Sequence, residues 1–143
     1  MTALLVDTSV LIKWFHSDGE LELHEARAIR RSVQSGLLQP LIIDLALYEL
    51  GNVLLRALRW AAADVADQLD DVVAICGTPL VLLPEWLRGA ALLGADHGLT
   101  FYDAAWASAA RALDVPLVSA DTRLLGAGLA ESPTAFVQRL RLR

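Results

Sequence analysis

Four acidic residues, Asp7, Glu49, Asp103 and Asp121, carry the chemistry that this chain can be expected to do. Asp7 interrupts "LLVDTSVLIKW" where a short apolar run stops and a different apolar rhythm begins. Asp121 stands in the same relation to "LVSADTRLL". Asp103 lies early in "LTFYDAAWASAA", and Glu49 lies in "LALYELGNVLLRALR". Each acid has an ordinary structural role open to it. Asp7 and Asp121 are placed to cap the helices that follow them. Thr100-x-x-Asp103 resembles a capping box with Asp in place of Glu. Glu49 borders the apolar stripe Leu47, Leu50, Leu54 and Leu58. Together the four raise a problem that capping does not solve. Two carboxylates about 4 Å apart repel by roughly 4 kcal/mol at an effective dielectric near 20. Gathered at one place, the four acids raise one another's pKa values unless a cation neutralises them. A helix N-terminus supplies only about half a charge. Oxygen-rich sites suit the hard cations Mg²⁺ and Mn²⁺, and His16, His24 and His97 are too scattered to suggest zinc. A divalent cation held by carboxylates activates water and stabilises charge on phosphoryl oxygens, which makes a phosphodiester the natural substrate.

The elements that must bring the acids together follow from the hydropathy pattern. Residues 3–6 read as a buried parallel strand ending at Asp7, and 9–15 as a short helix. Residues 20–35 read as an amphipathic helix ended by Gly36, with Arg27, Arg30 and Arg31 turned away from its apolar face. Pro40 leads a second run, 41–43, that ends at Asp44. Helices are predicted at 45–61 and at 64–76, the latter capped by Asp64. Residues 80–83 read as a third strand, closed by Pro84 at a helix start. Helices at 85–95 and 101–114 follow, the second apolar on nearly every side and therefore central. A fourth strand at 117–119, a helix at 122–128 and a further strand near 135–138 complete the reading. Alternating strands and helices imply a parallel sheet covered on both faces, with every strand's carboxyl end on one edge. Ligands in such folds bind at that edge. Adjacent first and fourth strands bring Asp7 and Asp121 close together.

Composition narrows the classes. The chain has 143 residues and no evident linker or repeat, which fits one domain over 1–143 burying roughly 70% of its unfolded surface. The apolar runs are too short and interrupted to span a membrane, and the N-terminus does not read as a signal peptide. The one cysteine, Cys76, excludes an intrachain disulfide and suggests a reducing cytoplasm. A net charge of -5 argues against a broad electrostatic grip on nucleic acid, though not against a small basic patch. Lys13 is the only lysine.

The quoted segments resemble a known family. "LLVDTSVLIKWF", "YELGNVLLRAL", "GLTFYDAAWASAA" and "VPLVSADTRLL" are similar, in that order, to the four acid-bearing segments of PIN-domain nucleases, especially the VapC toxins of bacterial type II toxin–antitoxin modules. The resemblance implies a three-layer α/β/α sandwich with a central parallel sheet of four to five strands. It implies Mg²⁺-dependent cleavage of RNA, with Mn²⁺ able to substitute. It places Asp7 and Asp103 as principal metal ligands, with Glu49 and Asp121 completing the shell or orienting the attacking water. Ser119 and Thr8 are supporting residues, Ser119 at a position where the family often has Ser or Thr. The resemblance also implies a homodimer and a small cognate antitoxin that covers the site. The apolar excess, a mean hydropathy of +0.46, fits a chain that buries surface against a partner. One feature departs from the family. Many relatives carry Ser or Thr shortly before the second acid, and this chain has Ala46, Leu47 and Tyr48, which leaves Glu49 without a local hydroxyl to orient it.

Arg27, Arg30 and Arg31 form one basic cluster and Arg139, Arg141 and Arg143 another. Either is a solvated face or a guide for RNA phosphate. Trp14, Trp60, Trp86 and Trp106 read as core rather than as base-stacking platforms. Two other functions compete with the nuclease. An aspartate phosphatase or a receiver domain also places an aspartate after a strand, but typically uses a lysine late in the fold, where this chain has none. A non-catalytic PIN-like module would keep the acids to bind a partner.

Overall fold

The computed structural model describes all of residues 1–143. Strand β1 (Thr2–Val6) lies in the middle of a parallel sheet, between β2 (Leu38–Leu41) and β3 (Leu117–Val118), in the order β2-β1-β3. Leu4, Leu5 and Val6 are all 0% exposed. Successive strand residues point to opposite faces, so both faces of β1 are covered. Eight α-helices provide the cover: α1 (Thr8–Leu11), α2 (Leu23–Gln34), α3 (Leu45–Asn52), α4 (Ala62–Cys76), α5 (Pro84–His97), α6 (Phe101–Leu113), α7 (Thr122–Gly126) and α8 (Pro133–Leu140). A 3₁₀ turn, Ile12–Trp14, extends α1, and a π-helical segment, Val53–Ala57, extends α3. Helix α6 packs on β1 and β3, α4 and α2 pack on β2, and α8 packs on α2.

Helix α6 is central, as its composition predicts. Every residue from Ala104 to Ala110 is buried. Its small side chains allow α5 to approach closely. A Cβ placed on Gly89 of α5 would meet Ser108 Oγ at 2.8 Å, and that hydroxyl donates to the carbonyl of Trp86 at 2.6 Å.

The sheet has three strands rather than four to five. The expected strand at 80–83 shrinks to one parallel bridge between Ile43 and Leu80, with Leu80 N donating to Ile42 O and Asp44 N to Leu80 O. Pro79 has no N–H to offer a ladder, and Pro84 starts α5 four residues after Leu80, so the chain leaves the sheet at once. The expected strand near 135–138 is helical. Ser132 accepts from Ala135 N at 3.0 Å, Pro133 occupies the first turn, and Phe136 turns into the core. A second bridge, Val118 to Glu131, lies just before that helix. Strand β2 covers 38–41 rather than 41–43 and includes Pro40. The long helix expected over 45–61 is α3 with its π-helical extension, and it ends near Arg59, which has φ +56°. Helix α4 begins two residues before Asp64, which therefore sits inside the first turn and does not cap it.

Candidate active site

Parallel strands in right-handed crossovers bring their carboxyl ends to one edge, and the four acids occupy that edge. Asp7 directly follows β1 and Asp121 follows β3. Asp7 N donates to Val118 O at 3.0 Å, which fixes the two strand ends side by side. Asp103 is in the first turn of α6, and Glu49 is on α3.

Asp7 stands at the N-cap position of α1, but its side chain caps nothing. It is 6% exposed, and two serine hydroxyls converge on one of its oxygens. Ser9 Oγ donates to Oδ2 at 2.6 Å and Ser119 Oγ at 2.7 Å. Each serine is held from behind by a backbone amide: Ala120 N donates to Ser9 Oγ at 2.9 Å, and Asp121 N to Ser119 Oγ at 3.0 Å. Both donors act on Oδ2, which leaves Oδ1 without a hydrogen bond. Burial pushes the Asp7 carboxyl above its ordinary range. The two serines oppose that push, while Asp121 and Asp103 add to it.

Glu49 is half-buried, and burial raises its pKa as well. Its Oε1 accepts from Trp106 Nε1 at 3.1 Å and from Thr8 Oγ1 at 2.9 Å, and both bonds favour the ionised form. Asp7 and Asp103 push the other way. The hydroxyl that the sequence lacks just before Glu49 therefore comes from Thr8, 41 positions away along the chain. Burial raises Asp103 too, then the charge of Asp121, against the Thr100 hydroxyl and the Arg123 guanidinium. Two of the structural roles also hold. Thr100 Oγ1 accepts from Asp103 N at 3.1 Å, and Asp121 Oδ1 caps α7 by accepting from Arg123 N at 2.8 Å. Capping uses one oxygen of Asp121 and leaves the other free.

The donor set, carboxylates interleaved with hydroxyls, suits a hard cation. No three of the chain's His, Cys, Asp or Glu side chains are close enough to form a finished cage. Such a cation would draw on the facing carboxylates and fill its remaining positions with water or substrate oxygens, as Mg²⁺ ordinarily does.

The profile of the PIN domain matches residues 4–128. The chain belongs to the PIN-domain family. That match takes in all four acids. Among solved structures, this PIN domain is similar to PAE2754 from Pyrobaculum aerophilum, with 26% identity and a TM-score of 0.72 over 98% of this chain and 90% of that one. Among curated proteins, no sequence match is found. PIN domains are generally nucleases and typically use divalent metal ions.

Several residues play parts that the sequence reading did not give them. Ser9 is an equal partner to Ser119 on Asp7. Trp106 is 0% exposed, as a core residue should be, and it also holds Glu49. Several of the clustered arginines have partners within the fold. Arg27 Nε donates to Lys13 O at 3.1 Å and Arg30 NH1 to Trp14 O at 2.7 Å, so both bind the 3₁₀ turn to α2. Arg139 pairs with Glu131 at 2.9 Å. Arg31 lines a cavity of about 520 Å³ with Arg141 and Arg143, beside Thr2 at the opposite end of β1 from Asp7. No helix is long and apolar enough to cross a membrane.

Proposed function

We propose that this PIN domain is a Mg²⁺-dependent endoribonuclease, with Mn²⁺ able to substitute, and that it is the VapC-like toxin of a type II toxin–antitoxin pair. The observation that carries the nuclease reading is Asp7: a nearly inaccessible carboxylate, gripped through Oδ2 by two serines and facing two other acids. That arrangement is costly for the isolated protein, and a bound cation offsets the cost. Asp7 and Asp103 are assigned to hold the cation, with Glu49 and Asp121 completing its shell or orienting water. When bound, the cation supplies Lewis acidity toward the phosphodiester and its attacking water. The chain's own residues do the positioning. Ser9 and Ser119 favour the ionised form of Asp7 and keep it turned one way, and Thr8 and Trp106 do the same for Glu49 through Oε1, leaving Oε2 to accept a proton from water.

The toxin assignment rests on the order and wording of the four acidic segments. Exposed apolar side chains beside Asp103 support a covering partner: Phe101 and Tyr102 are 48% and 62% exposed, and Val81, Leu83 and Leu87 are also exposed. A cognate antitoxin, or the second copy in a homodimer, would bury them.

The test is calorimetric titration of Mn²⁺ into the wild type, Asp7→Asn and Asp103→Asn, followed by incubation of each with RNA. Saturable binding and cleavage in the wild type, both lost in the variants while their circular dichroism stays native, is the expected result. A wild type that neither binds Mn²⁺ at millimolar concentration nor cuts RNA is a non-catalytic module.

A further inference from the structure

The only lysine of the chain is buried beside this site. Lys13 is 5% exposed, and its Nζ donates to Glu20 Oε1 alone, at 2.9 Å. Lys13 is the buried member of the pair and Glu20 is 23% exposed, so the desolvation of Lys13 offsets part of their attraction. The ion pair is built into the wall of a cavity of about 420 Å³ whose other lining includes Thr8, Ser9 and Ala120. Thr8 and Ser9 hold Glu49 and Asp7, so two residues of this cavity's lining bond directly to acids of the site. Its remaining walls, Ile12, Leu50 and Val53, are apolar. The pair is also held rigid from outside. Arg27 bonds the carbonyl of Lys13 itself, and Arg30 that of Trp14. Lys13 keeps two unused N–H donors, and Glu20 keeps Oε2.

We propose that the Lys13–Glu20 pair and its cavity form a nucleobase-reading subsite for a nucleotide next to the scissile phosphate, with guanine the preferred base. The subsite rests on the ribonuclease reading above and assigns it a source of sequence specificity. Apolar walls with a few fixed polar groups are the common form of a site for a planar ligand. Single-stranded RNA is read through the exposed edges of unstacked bases. An ammonium donates to a carbonyl such as guanine O6, and a carboxylate accepts from base amino groups. Guanine alone presents O6 beside two donors, N1–H and N2–H₂, and so matches both members of the pair. Uracil offers the carboxylate one donor. Discrimination by matched polar contacts of this kind reaches about tenfold or more.

Because Lys13 is unique, the test has one clean reporter. In protein labelled with ¹⁵N-lysine, an ion-paired ammonium shielded from water gives a single NH₃⁺ signal. The full chain, kept in chelator so that no RNA is cut, is titrated with 5′-GMP, AMP, CMP, UMP and inorganic phosphate, and then with short RNAs with and without one guanosine. The expected result is a saturable shift with GMP and with the guanosine-containing RNA at concentrations about tenfold lower than with UMP. Glu20→Gln keeps one hydrogen bond to Lys13 and should erase that preference. Equal shifts with all four nucleotides, or with phosphate alone, would mean that the pair senses charge and would overturn base reading. No shift at all would overturn the subsite. Cleavage mapping in Mn²⁺ separates this from the parent reading. Cleavage by the wild type without a GMP shift rejects the subsite and keeps the nuclease. A GMP shift in protein that cuts nothing keeps the subsite and rejects the nuclease.

Discussion

Replacing Ser119 with alanine should destabilise the metal-free protein, and by an amount that depends on pH. Ser119 is 0% exposed; it donates to Asp7 Oδ2 at 2.7 Å and accepts from Asp121 N at 3.0 Å. A hydrogen bond to a charged group contributes about 1.5–3 kcal/mol, and the amide left without a partner adds about 1 kcal/mol. The expected loss at pH 8 is therefore about 3 kcal/mol, or roughly 10 °C in Tm for a chain of this size. Asp7 has a folded-state pKa raised above 3.8 by burial, so its ionisation already costs stability as pH rises through that folded value. Removing a bond that lowers the pKa moves it further up. The extra loss is then absent where Asp7 is protonated in both folded proteins, below the wild type's own raised pKa, and complete above the variant's folded pKa. The assay is urea unfolding of both proteins in chelator at pH 4 and pH 8. The pH 4 difference should fall to the contribution of the Asp121 amide, about 1 kcal/mol. An equal difference at both pH values would refute the reasoning, because it would mean that Ser119 matters for packing and not for the Asp7 charge.

Three further outcomes follow from the same geometry. Thr8→Val and Trp106→Phe each remove one donor from Glu49, so the acid limb of the cleavage pH profile should move to higher pH in both. Trp106→Phe should also cost about 2–3 kcal/mol in a urea melt, and an unmoved acid limb would dissociate these donors from Glu49. The Cys76 thiol is buried and pushed up to about 12, so native protein should react with a thiol reagent only as fast as it opens, and rapid labelling in native buffer would contradict that. Gly89→Ala should cost about 1–2 kcal/mol, measured by thermal melting, because its Cβ meets Ser108 Oγ at 2.8 Å. Adding Ser108→Ala should recover part of that loss, and strictly additive effects would show that the two sites do not touch.

Much of the site could be read locally, because an acid at the end of an apolar run is a local signal. Asp7 and Asp121 announce themselves this way, and parallel topology places both strand ends on one edge, although only the structure shows that the two strands are neighbours. What escaped was the network around the acids. No local pattern links Thr8 to Glu49 or Trp106 to Glu49, at separations of 41 and 57 residues, so a missing hydroxyl near Glu49 gave no hint of its replacement. Arg27 and Arg30 looked solvent-facing by helical phase, yet long side chains reach sideways, and theirs meet the carbonyls of the 3₁₀ turn. The misread strand at 135–138 had a countersignal in Ser132-Pro133, a helix start that the apolar run "AFV" outweighed. At 80–83 the apolar run was real, but Pro79 and Pro84 left it no ladder to join.

The order of the sheet has a consequence for how the protein is made. Strand β1 emerges from the ribosome first, yet its second neighbour is β3, more than a hundred residues later. Until β3 docks, one edge of the most buried strand lies open, and Asp7 lacks Ser119. A chain without β3 therefore holds Asp7, Glu49 and Asp103 at an incomplete edge that lacks Asp121. The acidic edge is complete only when β3 has docked and brought Asp121 beside Asp7. On the reading proposed above, cleavage of RNA would then wait for that late strand.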